Sequence, residues 1–206
     1  MSYKMVQSNN NYILEMKNTK TYYIEDACVK LFISSIQHVV GNSLKNNEGT
    51  KIIFHASNVV TLADVLAKRH LTYDEALVMV GYLTKQLMFL NERNVTILGF
   101  DLKDILVLND VSLFFIASPM NVKGISGKTI DFDLPFYKPD FVSPLVADVS
   151  SIPSSVSCFV DRYSLAIVVI YAIGMSNMNL DLIKNTKLYW FLKRCLDHYE
   201  GRLFLI

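Results

Sequence analysis

Leu71-Thr72-Tyr73-Asp74-Glu75-Ala76-Leu77 opens a stretch that continues through Tyr82-Leu83 and Leu87-Met88-Phe89-Leu90 to Ile97-Leu98-Gly99-Phe100-Asp101-Leu102-Lys103-Asp104 and Ile105-Leu106-Val107. In its first half apolar side chains recur three and four residues apart, which predicts a helix with one buried stripe. Thr72 can cap that helix, and Glu75 completes a capping box, because hydroxyl and carboxylate each satisfy an amide that the first turn leaves unpaired. Asn91 to Asn94 supplies polar residues where the helix should stop. A strand pair should follow, Asp104-Ile105-Leu106-Val107-Leu108 and Ser112-Leu113-Phe114-Phe115-Ile116, joined by a turn at Asn109-Asp110.

This order of helix, loop and short hairpin resembles the start of the C-terminal lobe of the protein-kinase family, whose loop carries H-R-D-x-x-x-x-N. Laid over it without gaps, Ile97 falls on the family's histidine, Leu98 on its arginine, Gly99 on its catalytic aspartate and Asp104 on its metal-binding asparagine. Of these, Asp104 alone retains a group that can hold a cation. A rival alignment equates Asp101-Leu102-Lys103 with the family's D-L-K, making Asp101 the base, but it needs a deletion before Ile105 and ranks second. Where the family has D-F-G this chain has Ala117-Ser118-Pro119, without a carboxylate for magnesium. Phosphoryl transfer rests on positioning and charge stabilisation, so losing the base and the second metal ligand together removes the parts the reaction depends on.

Further along, Phe141-Val142-Ser143-Pro144-Leu145 resembles the family's M-S-P-E, and Asp161-Arg162-Tyr163-Ser164-Leu165-Ala166 resembles D-x-W-S-L-G. The latter opens an apolar helix, Tyr163 to Ile173, which the resemblance makes the central rod of the large lobe, with Asp161 accepting backbone N–H groups of the catalytic loop. Arg194-Cys195-Leu196-Asp197-His198-Tyr199-Glu200-Gly201-Arg202 resembles R-C-L-x-x-D-P-x-x-R. Arg202 then matches a buried structural arginine whose glutamate partner is Leu145 here. Without that partner burial is costly, and Asp140 and Asp148 are candidate acceptors.

Upstream, Lys51-Ile52-Ile53-Phe54-His55-Ala56-Ser57 and Thr61-Leu62-Ala63-Asp64-Val65-Leu66 resemble the last small-lobe strand, the hinge and the first large-lobe helix. The preceding residues are too few for a full small lobe. They offer a hairpin of Asn11 to Met16 with Lys20 to Glu25 around Lys17-Asn18-Thr19, then a helix from Asp26 to Val40. No glycine occurs before Gly41, so the glycine-rich phosphate loop is missing. Lys17 or Lys20 could be proposed as the phosphate-pairing lysine, but the helix has no central glutamate to hold it. Glu25 and Asp26 instead favour the positive end of its dipole.

The chain has 206 residues, a formal net charge of +1, 51% hydrophobic residues and a mean hydropathy of +0.28. That length suits one domain with a real core, and the apolar balance fits equally a well-filled core or an exposed face that meets a protein partner. Dispersed Lys and Arg exclude an electrostatic footprint for nucleic acid. The run Leu165 to Met175 is shorter than the roughly 20 residues that span a bilayer, and Met1-Ser2-Tyr3-Lys4 opens no signal peptide. Cys28, Cys158 and Cys195 lack metal or disulfide spacing and read as buried free thiols. Gly127-Lys128-Thr129, within a segment that the resemblance makes the activation segment, reads as a turn; with Leu98 replacing the phosphate-reading arginine, switching through Ser126 or Thr129 is not expected.

The expectation is therefore an α+β, protein kinase-like two-lobe fold in a single domain. A reduced β-containing N-lobe covers 1–57 and a mostly helical C-lobe covers 58–206. The expected function is that of a catalytically inactive interaction or scaffold module with a protein partner and no cofactor or metal. The alternatives are a cleft that still binds a nucleotide through Asp104 and backbone near Ala56, and a residual Ser/Thr kinase with Asp101 as base. Abundant Asn, Lys and Ile and the shrunken small lobe point to an AT-rich genome such as that of a large DNA virus, hence to host cytoplasm or virion. Phe54, Phe100 and Phe115 are expected beside the cleft.

Overall fold

A computed structural model of the chain describes residues 3–9, 11–16, 24–41, 44–48 (backbone), 51–175 and 179–197. Its first part is a four-stranded antiparallel sheet of β1 (Tyr3–Ser8), β2 (Asn11–Met16), β3 (Leu44–Glu48) and β4 (Lys51–His55), in the order β1-β2-β4-β3. Tyr12, Leu14 and Met16 alternate onto the buried face of β2, as period two requires. The hairpin partner of Asn11–Met16 is thus Tyr3–Ser8 rather than Lys20–Glu25, most of which lies outside the described residues. Asn9 makes the tight turn at φ 56°, a conformation Asn tolerates better than most residues.

Helix α1 (Asp26–Val40) buries Phe32, Ile33, Ile36, Val39 and Val40 along one stripe, where the sequence placed it. After β5 (Val59–Thr61) and the short α2 (Leu62–Leu66), α3 (Tyr73–Asn91) begins with the full capping box: the Glu75 amide donates to the Thr72 hydroxyl at 3.3 Å and the Thr72 amide to the Glu75 carboxylate at 2.8 Å. Arg69 grips the same carboxylate with two bonds of 2.6 and 2.7 Å, holding it down at about 2. Helices α1 and α3 pack on one another, and their common core joins the sheet to the rest of the chain.

The expected hairpin is β8 (Ile105–Leu108) with β9 (Leu113–Ile116), preceded by β6 (Val95–Ile97), β7 (Gly99–Phe100) and a 3-10 turn over 102–104. Asp104 belongs to that turn and not to the strand. β5 adds to the hairpin's open edge. A second 3-10 turn, Pro119–Asn121, leads to β10 (Val122–Gly124), β11 (Thr129–Phe132), β12 (Phe141–Val142), α4 (Pro144–Ala147) and β13 (Ser154–Ser157). Gly127 stands at φ 64° in the predicted turn, bridged by Ser126 and Thr129. Three short pairs, β6 with β10, β7 with β12 and β11 with β13, pin this segment, and no local periodicity announces them.

Helix α5 (Val160–Ala172) starts three residues earlier than the apolar run predicts, and its buried residues Leu165, Ala166, Val168 and Val169 form the rod at the centre of the helical part. A 3-10 turn over Leu180–Ile183 and α6 (Lys187–Leu196) complete the described chain, α6 lying against α5. Cys28, Cys158 and Cys195 are buried and unpaired by disulfides. No helix among the described residues is long and apolar enough to cross a membrane.

Candidate functional site

The loop from β6 to β8 lies where the sheet meets the helical part, and each sequence-selected residue on it has a definite place. Ile97 is fully buried opposite Val122. The Leu98 amide donates to the Asn121 carbonyl at 2.8 Å, and its side chain packs in a second apolar cluster with Ile130, Phe132, Val146, Cys158 and Val160. A hydrocarbon contact thus stands at the position that the sequence resemblance equates with an arginine, and burial holds the segment in place.

Gly99 pairs with Val142 across β7 and β12, and the approach is close. A Cβ at position 99 would come within 2.5 Å of the Phe141 carbonyl oxygen and 2.6 Å of Pro139 Cγ. Its φ is not among the positive ones, so the glycine is required by space and not by conformation.

Asp101 is 1% exposed. Its Oδ1 accepts the Asp140 amide at 2.9 Å, and the Tyr137 hydroxyl bonds to the same carboxylate, while Oδ2 has no partner. Burial and the Asp101 charge push the Tyr137 hydroxyl pKa up. Lys138 holds the neighbouring chain down by donating to the carbonyls of Ala147 and Val149 at 2.8 and 2.7 Å, beyond the C-terminal end of α4.

Asp104 is nearly buried, and burial raises its pKa to about 6; a hydrogen bond from Ser118 opposes the rise and the Asp101 charge adds to it. The Asp104 carbonyl accepts the Ala117 amide at 2.8 Å, which places Ala117 beside it. Among the described residues no three His, Cys, Asp or Glu side chains converge on a cation position.

Aromatic rings of the sheet pack against the β8–β9 hairpin. Phe54 of β4 meets Phe115 of β9 edge-on at 5.7 Å between centroids, and Tyr12 stacks on Phe54 at 6.0 Å. Phe100 is buried in β7. The Tyr3 hydroxyl reaches down to donate to the Lys103 carbonyl at 2.6 Å. The strand preceding α1 turns Tyr12, Leu14 and Met16 inward, and no lysine occupies that face; Lys17 and Lys20 lie outside the described residues. The Ser57 amide and hydroxyl both donate to Asn109 Oδ1, at 2.8 and 3.1 Å, while Asn58 and Asp110 pair reciprocally through side chain and backbone. The hairpin turn that supplies these partners carries Asn109, Asp110 and Val111 at φ 51°, 53° and 72°, an uncommon run that is strained at the β-branched valine.

Asp161 is completely buried. Asn91 Nδ2 donates to it at 2.9 Å, and the Thr96 side chain and the Arg162 backbone also bear on the carboxylate. Burial pushes its pKa up, and the Asn91 bond opposes this. A tie to the loop comes from Ser164, whose hydroxyl donates to the Leu98 carbonyl at 3.1 Å and accepts the Ser143 amide at 3.0 Å. Arg202 lies outside the described residues.

Sequence reading also passed over Gln86. Fully buried, it donates to the Ser35 hydroxyl and the Ile116 carbonyl, both at 3.1 Å, and accepts the Ile116 amide at 2.8 Å. The signal for it was a polar residue on the buried stripe of α3 between Leu83 and Leu90.

No family model matches the chain, and no curated protein matches it. Among solved structures it is similar to the kinase of Cydia pomonella granulovirus, with a TM-score of 0.56 at 13% identity over 99% of this chain and 91% of that one. At that identity the likeness carries the architecture alone, and it agrees with the order of sheet, joining helix, paired loop and central rod described above. The chain has a protein kinase-like fold.

Proposed function

We propose that this is a catalytically inactive kinase-like protein that acts as a protein-interaction or scaffold module, with a reduced small lobe at 1–57 and a helical lobe at 58–206. The observation that carries the reading is the contact of β12 on Gly99: the position equated with the catalytic aspartate has no room for a side chain. Three further features support it. Ala117 replaces the second metal ligand, the inward face of β2 is apolar, and the Ser57 amide at the expected base-binding hinge is already bonded to Asn109. Asp101, the base under the rival alignment, is buried beneath Tyr137 and Asp140 and so cannot reach a substrate hydroxyl without rearrangement.

The test is a phosphate-transfer and self-phosphorylation assay with ATP and either magnesium or manganese. Activity that disappears on altering Asp101 or Asp104 would overturn the proposal. A second reading, a cleft that still holds a nucleotide or other small ligand, is favoured by one observation, the unpartnered Asp101 Oδ2 near Asp104. A ligand at 100 times its dissociation constant adds about 2.7 kcal/mol to stability. Absence of a melting shift at millimolar ATP therefore rules the second reading out.

A further inference from the structure

A cavity of about 530 Å³ lies between the start of α1, the turn before β6 and the β10–β11 segment. It is separate from the loop that the catalytic reading concerns, and its size suits a small ligand. Lys123 of β10 lines it, half-buried, and loss of water pulls its pKa below the usual lysine value. Glu25 and Asp133 act on this ammonium through space only. Asp131, which also lines the cavity, accepts the Thr129 hydroxyl at 3.4 Å. Arg93, the other cation of the lining, is already engaged: its guanidinium lies 3.7 Å from the centre of the Phe89 ring, donates to the Phe89 carbonyl at 2.8 Å and faces Glu92 at 3.7 Å.

The cavity thus combines a half-buried cation without a contact partner among the described residues, exposed carboxylates, and apolar walls from Leu31, Val95 and Leu134. A half-buried ammonium gains more from an anion at contact distance than an exposed one does, because the protein displaces part of the water that would screen it. A plain anion would be opposed by Glu25, Asp131 and Asp133. A molecule that also carries an ammonium turns that repulsion into attraction, so the lining selects both charges together. We propose that this cavity binds a small zwitterion of the amino-acid type, its carboxylate on Lys123, its ammonium towards Asp131 and Asp133, and an apolar side chain against Leu31 and Val95. The inference is independent of the scaffold reading, and neither fails with the other.

The test titrates the purified chain with the free amino acids and, in parallel, with carboxylates and alkylamines of matching length, by calorimetry and by methyl shifts of Val95 and Ile125. Lys123→Met, close in shape and uncharged, should weaken binding at least about tenfold, while Lys123→Arg should retain it; such a factor corresponds to about 1.4 kcal/mol. Asp131→Asn with Asp133→Asn should weaken the zwitterion and leave or improve the amine-free carboxylate. The proposal is overturned if no amino acid saturates below roughly 10 mM, a limit near −2.7 kcal/mol of binding. Equal binding by Lys123→Met, or by a carboxylate without its amine, overturns it too. Should Lys123→Met fail to fold, the Arg variant and the double Asn variant decide the matter alone.

Discussion

Substituting Gly99 by Ala separates two physical effects of opposite sign. In open space the change would stabilise the protein by about 0.4–1 kcal/mol, since alanine leaves the unfolded chain less conformational freedom. Here the new Cβ meets a backbone oxygen at 2.5 Å and a proline ring carbon at 2.6 Å, where ordinary contacts begin at 3.4 Å. Strand β12 must therefore retreat by about 1 Å, which overpacks the site at about 1–3 kcal/mol and loosens a two-residue pair whose bonds contribute about 1 kcal/mol each. The expected loss is about 2–5 kcal/mol, a large share of a typical 5–15 kcal/mol. At roughly 2–4 °C per kcal/mol, the midpoint should fall by about 5–20 °C. Urea unfolding read by circular dichroism and tryptophan fluorescence measures this directly. Gly99→Asp should lose at least as much and gain no phosphate transfer. A Gly99→Ala variant as stable as the parent, or more so, would refute the close-approach argument and with it the main support for an inactive loop.

Other outcomes follow from the same geometry. Gln86→Leu leaves the Ile116 amide and carbonyl and the Ser35 hydroxyl without their buried partner and should destabilise by at least about 3 kcal/mol, at about 1–3 kcal/mol for each of the three stranded groups; a loss below about 1 kcal/mol in urea would contradict the role given to this amide. Asp104 binds its proton more tightly folded, near 6, than unfolded, at 3.8, so its contribution is fully present below pH 4 and declines as pH rises to about 6, by at most about 3 kcal/mol. Asp104→Asn should flatten that decline in unfolding curves taken at pH 4.5, 5.5 and 7, and an unchanged slope would show that the carboxyl is not desolvated. Lys138→Met removes two bonds to carbonyls at and just after the end of α4 and should speed hydrogen exchange across 133–140 while leaving α5 protected. Tyr3→Phe deletes one bond between β1 and the loop and should cost about 1 kcal/mol, seen as a lower urea midpoint at unchanged slope.

What the sequence settled by itself is local. The stripe of α1, the stripe and capping box of α3, the apolar rod of α5 and the β8–β9 hairpin each follow from side chains within a few residues of one another, and they stand where periodicity and caps put them. The kinase-like order of elements was legible for the same reason, because short motifs on those elements survive in register. Boundaries moved where a neighbour intervened, as at Asp104, which enters a 3-10 turn, and at β2, whose partner is Tyr3–Ser8. Tertiary structure alone decided the rest. Gly99 meets a strand some forty positions further on, Asp101 is covered by Tyr137 and Asp140, the hinge amide of Ser57 finds an acceptor 52 residues away, and Gln86 substitutes for a backbone partner of β9. Spacing along the chain carries no record of such encounters, since bringing distant segments together depends on how the whole core closes. The cavity around Lys123 belongs to the same class: its charges come from the residue before α1, the turn after α3, β10, and β11 with the residue after it, and share no motif.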